Sequence, residues 1–146
     1  MKATGIVRRI DDLGRVVVPK EIRRTLRIKE SDPLEIFTDR DGKIILKKYS
    51  PIGELGEFAK EYAQSLAQVS GYTVCIADHD QIIAASGKRA KEYSGRLIDE
   101  ELESVILNRK TVKLAKKEAV RLTQNDAGGY QSQVISVITS LGDCVG

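Results

Sequence analysis

The sequence predicts an α+β protein in two parts, a small β-rich N-terminal unit that closes as a dimer and a larger α/β domain behind it. Three observations predict this class. The first fifty residues hold short β-branched runs around a single short helix, with an Asp-Gly turn between two of the runs. A long amphipathic helix follows at about residues 53–69. Beyond it, strand-like and helix-like patterns alternate to residue 146. We therefore expect a domain at 1–50, a linker helix at 51–70 and a domain at 71–146.

Residues 13–26 organise the N-terminal unit, because they predict a turn, a strand and a helix in succession. The β-branched run at 16–18 favours a strand, and Pro19 both stops it and suits the first position of a helix. At about 100° per residue, Ile22 and Leu26 lie on one helix face, which we expect to be buried. The opposite face carries Arg23, Arg24 and Arg27. Such a face is either a solvated surface or a binding surface for a polyanion, and the basic residues around it favour the second interpretation.

The remaining patterns of the N-terminal unit predict strands at 4–10, 34–38 and 43–48, with the Asp-Gly turn at 39–42 joining the last two. About fifty residues bury too little surface for comfortable stability alone. The unit has neither a disulfide nor a metal-ligand spacing to compensate. We therefore expect it to dimerise, each half supplying strands to the other so that a shared barrel leaves no free edge.

Basic side chains are concentrated near the N-terminus. The chain has a formal net charge of +3, yet residues 1–29 carry nine basic and three acidic side chains. Residues 51–146 carry 11 basic and 13 acidic side chains. This asymmetry indicates a polyanion partner for the N-terminal unit, although it excludes neither an acidic protein nor a membrane surface.

Several features indicate a cytosolic protein. No apolar run approaches the length of a membrane helix, and residues 1–5 contain no apolar signal region. Cys75 and Cys144 stand far apart and in no CxxC motif, so neither a disulfide framework nor a zinc site is indicated. We expect each to be a small buried or incidental thiol.

The helix expected at 53–69 allows two interpretations. Its apolar residues recur at intervals of three and four, as in a heptad seam: Ile52, Leu55, Ala59, Tyr62, Leu66 and Val69. The seam is short for a coiled coil, and Phe58 and Ala63 widen it toward the stripe of a helix that packs on a sheet. Packing on a sheet and pairing with another helix both stay open, and Gly71 is expected to end the helix.

The patterns beyond Gly71 predict strands at 72–77, 81–86, 111–115, 119–123 and 130–139. A helix is expected at 98–107, with the buried stripe Ile98, Leu102, Val105 and Ile106. Residues 88–95 read as a polar loop, and residues 144–146 as the start of a strand.

Catalysis finds little support in the sequence. It contains no nucleophile elbow, P-loop or HExxH motif. The acidic run at 99–101 suits the first turn of a helix, and the lone His79 is expected in a solvated turn. We therefore expect no enzyme, no catalytic residue, no metal and no cofactor.

The N-terminal unit is similar to a known family over its whole length. The matching stretches are residues 4–9, 13–26, 34–37 and 44–49. They resemble the AbrB family of bacterial transition-state regulators, whose DNA-binding domain is a swapped-hairpin barrel dimer. The resemblance implies a homodimer through residues 1–50 that binds double-stranded DNA. It also implies control of sporulation or transition-state genes, as repressor or activator, in the cytoplasm and at the nucleoid.

The resemblance also implies where DNA is met. The arginines with which the family contacts DNA match Arg8, Arg15, Arg23 and Arg24, and the charge argument adds their neighbours Arg9 and Lys20. Guanidinium pairs with phosphate or with the guanine edge. No aromatic residue lies among these side chains, so we do not expect stacking on single strands. The helix is too short to read a groove alone, and we expect phosphate contacts combined with recognition of DNA shape.

The second half resembles a member of that family that carries a GAF-like domain behind its AbrB domain. That domain continues with another strand and a long C-terminal helix, whereas this sequence stops at Gly146. We therefore expect a GAF-like domain that is incomplete at its C-terminus, as a truncated product or as a piece of a longer protein. A tetramer through this domain is an open expectation, and its small-molecule ligand is unknown.

Two other functions stay open. The same barrel occurs in antitoxins, whose C-terminal tails wrap a toxin; residues 53–146, with their helix and strand periodicity, do not read as such a tail. A small-molecule sensor that acts through the GAF-like domain is the other alternative, although no residue pattern identifies a ligand.

Overall fold

The computed structural model describes residues 4–146, so residues 1–3, which the predicted first domain includes, lie outside the described part of the chain. The chain divides into two compact units, Met1–Tyr49 and Ser50–Gly146, which we call the N-terminal unit and the C-terminal unit. Among residues 4–146, none of the helices combines the length and the apolar character that crossing a membrane requires.

The N-terminal unit contains one helix and one antiparallel hairpin. Its elements are α1, Lys20–Thr25; β1, Leu34–Thr38; and β2, Ile44–Lys48. In the hairpin Ile36 lies opposite Leu46. The Asp39 carboxylate closes the turn by accepting a hydrogen bond from the backbone N–H of Lys43 at 2.9 Å. The helix predicted to follow Pro19 and the hairpin predicted around the Asp-Gly turn are both confirmed.

Two predicted strands of this unit are wrong for the single chain. Residues 4–10 and 16–18 form no strand, because a strand needs a hydrogen-bonded neighbour and neither segment finds one within its own unit. The expected burial of Ile22 and Leu26 is also wrong. Ile22 is half-buried and Leu26 is 55% exposed, since α1 has too little of its own chain to pack against.

A large apolar surface of the N-terminal unit therefore faces water. Pro19 is the only buried apolar side chain between residues 4 and 49. The exposed large ones are Ile6, Val7, Ile10, Leu13, Val16, Val17, Leu26, Ile36, Phe37, Ile44, Ile45, Leu46 and Tyr49. A monomeric soluble unit rarely exposes so much contiguous apolar surface.

The C-terminal unit mixes short helices with antiparallel strand pairs. Its elements are α2, Pro51–Glu54; α3, Gly56–Ser70; β3, Val74–Ala77; β4, Ile82–Ser86; α4, Ala90–Tyr93; α5, Glu100–Leu107; β5, Val112–Ala115; β6, Ser132–Ile135; β7, Thr139–Ser140; and β8, Asp143–Cys144. Strand β3 pairs with β4, β5 with β6, and β7 with β8. The described chain is thus a mixed α and β protein.

Several predicted boundaries of the C-terminal unit are wrong. The helix expected at 53–69 is interrupted at Leu55, which separates α2 from α3. Residues 119–123 contribute only a bridge between Thr123 and Ile98 instead of a strand. The strand expected at 130–139 ends at Ile135, because its partner β5 offers only four residues to pair with.

Two helix boundaries of the C-terminal unit have local causes. Helix α5 begins two residues later than predicted, since the Asp99 carboxylate caps it by accepting from the Glu101 N–H at 3.1 Å. Helix α4 was predicted as loop, because four residues are too few to show a helical period.

Helix α3 packs on the β3–β4 hairpin through small residues. Ala59, Ala63 and Ala67 are buried, and the first two pack with Ala84. Gly71 ends the helix in the left-handed conformation, with φ 75°, as predicted. The large residues of the expected seam face water instead: Leu55, Phe58, Tyr62, Leu66 and Val69. Within the chain, packing on the sheet is therefore the interpretation that holds.

A second hydrophobic cluster lies on the other side of β3. It consists of Ile82, Tyr93, Ile98, Leu102 and Ile106. Alternate residues of β3 serve the two clusters: Cys75 and Ala77 pack here, whereas Val74 and Ile76 pack with α3. The buried stripe expected for α5 is confirmed at Leu102 and Ile106.

Candidate nucleic-acid interface

Helix α1 gathers three of the predicted site residues on one face. Lys20, Arg23 and Arg24 fall within an arc of about 100° at helical spacing. Lys20 and Arg24 are exposed, and neither forms an ion pair within residues 4–146. Arg23 is half-buried, and its Nε donates to the carbonyl oxygen of Val18 at 3.2 Å. The helix therefore presents two free cations beside a guanidinium that is anchored to the preceding segment.

Arg15 is held by the turn that precedes it. The Asp11 carboxylate accepts from the Arg15 backbone N–H at 2.8 Å and from the Arg15 Nε at 2.9 Å. Gly14, with φ 75°, provides the left-handed residue that this turn needs. The two Arg15 donors hold the pKa of Asp11 below its usual value. The side chain of Arg15 stays 69% exposed, so the outer guanidinium nitrogens can meet an anion.

Arg8 and Arg9 lie on the segment at 4–10 that forms no strand. Both are exposed, and neither forms an ion pair with any residue of the described chain. Of the six predicted residues, α1 thus brings together Lys20, Arg23 and Arg24, and the Asp11 turn fixes Arg15. The remaining two, Arg8 and Arg9, lie on a segment that no strand pairing holds in place.

Sequence reasoning treated residues 11–14 as a bare turn and missed that Asp11 positions Arg15. The signal was present, since an Asp four residues before an Arg across a glycine favours this closed turn. It also missed Lys48, whose Nζ donates to the carbonyl oxygen of Arg27 at 2.9 Å and lies 3.2 Å from the Asp32 carboxylate. These contacts join the segment that follows α1 to strand β2 of the hairpin.

The C-terminal unit contains an open cavity of about 530 Å³. The side chains of Arg96, Gln124 and Asn125 line it, and none of them forms a hydrogen bond or ion pair within residues 4–146. In the same described range, no group of three or more His, Cys, Asp or Glu side chains could hold a metal ion.

Two family models match the chain. The family described as "Stage V sporulation protein T C-terminal, transcription factor" matches residues 54–146. The family described as "Antidote-toxin recognition MazE, bacterial antitoxin" matches residues 7–54, which contain all six predicted site residues.

Individual proteins of Bacillus subtilis (strain 168) are also similar. Stage V sporulation protein T is 55% identical over 146 residues, all of this chain and 82% of the relative. The transition state regulatory protein AbrB is 69% identical over 51 residues, which are 35% of this chain and 52% of AbrB. A solution structure of the N-terminal DNA recognition domain of AbrB is 69% identical, covers 35% of this chain and 94% of that domain, and has a TM-score of 0.31.

The two family models meet at residue 54, close to the boundary between the two units at Tyr49. The antitoxin-type model covers the part that carries the arginines, and the sporulation-protein model covers nearly all of the C-terminal unit. Only stage V sporulation protein T, among the relatives described above, matches both parts at once. The chain therefore belongs to the stage V sporulation protein T family of AbrB-type transcription regulators.

Proposed function

We propose that this chain is a DNA-binding transcription regulator that reads double-stranded DNA through Arg8, Arg15, Arg23 and Arg24, with Arg9 and Lys20 beside them. One observation carries the proposal. In the part of the chain that is 69% identical to AbrB, α1 and the Asp11 turn hold exposed cations that have few or no acidic partners. The genes it controls are those of sporulation or of the transition state, and its place is the cytoplasm.

The arrangement of these side chains suits recognition of DNA through phosphates, base edges and DNA shape together. Arg15 and Arg23 are each fixed at Nε, which leaves two nitrogens for a bidentate contact with a phosphate or a guanine. Arg24 and Lys20 are free to reach phosphates from the outer face of α1. Since α1 spans only six residues, recognition combines these contacts with the shape of the DNA.

The N-terminal unit is complete only with a second copy. We infer a swapped-hairpin barrel in which residues 4–10 and 16–18 pair with the partner's strands. The support is the apolar surface that one chain leaves in water and the absence of any ladder partner for these segments within residues 4–49. Because the two arginine surfaces of such a dimer are related by symmetry, the dimer presents each cation twice.

The C-terminal unit is a GAF-like assembly or sensing module in this proposal. A sensor function is the second candidate, and the cavity beside Arg96 supports it, since its volume is in the range of small-molecule sites. Ligand binding there would raise the thermal stability of the full chain in a metabolite screen, whereas a purely structural module would show no shift with any metabolite.

DNA footprinting with genomic fragments tests the main proposal and yields the target. Arg24→Ala is the informative variant, because its side chain has no contact that the fold needs, whereas Arg23 also bonds Val18. We expect Arg24→Ala to weaken duplex binding about tenfold or more, because a hydrogen bond to a charged group such as a phosphate contributes about 1.5–3 kcal/mol. The matched control is Arg40→Ala, which removes the same charge from the exposed β1–β2 turn and should change affinity little.

Circular dichroism checks that both variants keep the fold. Unchanged affinity of Arg24→Ala would remove this residue from the interface. If the wild-type chain bound no duplex at all, the antitoxin function suggested by the match at 7–54 would take its place, and capture of a protein partner would be its test.

A further inference from the structure

The basic side chains of the C-terminal unit are concentrated in one segment. Residues 51–146 carry more acidic than basic side chains, yet residues 109–121 hold six basic side chains and only one acidic one. The rest of the unit therefore carries five basic and twelve acidic side chains. A basic segment inside an acidic domain is a local surface feature, which the overall net charge does not reveal.

Four lysines of this segment are free. Arg121 is paired, with nitrogen–oxygen distances of 3.4 Å to Glu101 and 3.8 Å to Asp99, and Arg109 donates to the Gly142 carbonyl oxygen at 3.2 Å. The remaining four are exposed and form no ion pair among the described residues; they are Lys110, Lys113, Lys116 and Lys117, which we call the lysine hairpin.

Three of these lysines lie on β5 or in the turn that follows it, and Lys110 lies two residues before β5. Lys113 lies on β5, directly opposite Val134 of β6, and its side chain is on the exposed side of the pair. Lys116 and Lys117 occupy the turn after β5. The one acid of the segment, Glu118, is directed into that turn, where its carboxylate accepts from the Ala115 N–H at 3.4 Å. No acidic side chain of this segment thus competes for the lysines.

We propose that the lysine hairpin is a second DNA-contacting surface, one that meets phosphates of duplex DNA beyond those held by the N-terminal unit. This inference rests on the proposed function. Free ammonium groups contact phosphates without reading bases, so the lysine hairpin adds affinity and salt dependence but no sequence preference. The nearby Ser132 adds a hydroxyl group of the kind that also contacts phosphates, whereas the Thr111 hydroxyl is hydrogen-bonded to the Ser136 hydroxyl at 3.0 Å.

The salt dependence of binding isolates this contribution. In a dimer, Arg8, Arg15, Arg23 and Arg24 present eight guanidiniums, which give a slope of log K against log salt between about −3 and −7. Each lysine that neutralises a phosphate adds about −0.9 to the slope. The same dimer carries eight of these lysines, and with two to four of them on phosphates we expect the variant Lys110→Gln/Lys113→Gln/Lys116→Gln/Lys117→Gln to have a slope shallower than that of the wild type by about 2–4.

A control variant distinguishes contacts made by the lysine hairpin from a general effect of the positive charge of the C-terminal unit. The variant Lys60→Gln/Lys88→Gln/Lys91→Gln removes three lysine charges from the same unit at positions outside residues 109–121. We expect its slope to stay near that of the wild type. Both variants are measured as full-length chains on the same genomic duplex, with circular dichroism as the check of folding.

The slopes of the two variants decide whether the second DNA-contacting surface exists. If the lysine-hairpin variant and the control have the same slope, or if the lysine-hairpin variant keeps the wild-type slope, the second surface is overturned while the proposed function stands. If the wild-type chain binds no duplex DNA at any salt concentration, the proposed function itself fails, and the second surface fails with it. A lysine-hairpin variant that loses sequence preference along with affinity would also contradict a surface that contacts phosphates alone.

Discussion

Asp126 is the centre of a hydrogen-bond network in the C-terminal unit. Its side chain is fully buried. It accepts from the Tyr130 hydroxyl and from the backbone N–H groups of Leu122 and Gly128, at 2.9 and 2.8 Å. Burial opposes the charge of this carboxylate, but the three donors, together with the Arg89 guanidinium at 3.7 Å, outweigh burial, and the pKa of Asp126 lies below its usual value.

This network predicts a loss of stability in acid. Because the folded pKa of Asp126 is lowered, its contribution is complete above the ordinary pKa of 3.8 and is lost as the pH falls through the folded value. We expect Asp126→Asn to lower the free energy of unfolding by about 1–3 kcal/mol at neutral pH. Urea unfolding at several pH values measures this difference, which should shrink as the pH falls below 3.8. A difference that stayed constant with pH would exclude an ionised Asp126.

Cys75 is predicted to be unreactive in the folded chain. Burial, with a smaller contribution from the Asp126 carboxylate, raises the pKa of this thiol from 9.0 to about 11. The thiolate is the nucleophile, so two pKa units reduce it about a hundredfold. In a Cys144→Ser background, iodoacetamide should label Cys75 about a hundredfold more slowly in the folded than in the urea-unfolded chain. Mass spectrometry follows the reaction, and equal rates would show that the thiol is open to solvent.

At the scale of elements, α3 depends on the small size of its buried face. Ala63 is 0% exposed and packs with Ala84 of β4. A larger side chain there would push the helix from the β3–β4 hairpin. The large residues of the same helix, such as Leu66 at 52% exposed, do not take part in that packing.

We therefore expect Ala63→Leu to destabilise the C-terminal unit by about 1–3 kcal/mol. The matched control is Gln64→Leu, which adds a side chain of the same size at the neighbouring exposed position and should cost little. Thermal unfolding of the full chain compares the two variants. Equal melting temperatures would mean that the α3 interface is loose enough to admit a leucine.

At the scale of the whole molecule, the apolar surface of the N-terminal unit predicts an obligate dimer. A unit whose only buried apolar side chain between residues 4 and 49 is Pro19 has no core of its own. Sedimentation equilibrium of the full chain at micromolar concentration should give a dimer or a multiple of one. A folded monomer under these conditions would rule out the swapped barrel.

In the N-terminal unit, elements that depend on neighbouring residues could be predicted from the sequence, whereas features that depend on distant contacts could not. Pro19 and the Asp-Gly turn act over a few neighbouring residues, so α1 and the hairpin were predictable from local chemistry. The burial of Leu26 was not, since it depends on what packs against α1, and one chain supplies too little. The arginines of the candidate site were found from charge and resemblance, whereas the role of Asp11 in holding Arg15 needed the geometry of the turn.

Four features could be predicted from the order of the amino acids alone: the mixed class, the end of α3 at Gly71, the buried stripe of α5 and the basic character of the first unit. All of these follow from the period of apolar residues, from backbone-restricting residues or from charge, which are local properties. Three other features depend on tertiary contacts: α3 packs through alanines, its large apolar residues face water, and the strand expected at 130–139 ends at Ile135. Packing and strand pairing depend on which distant segments meet, and a linear pattern does not contain that information.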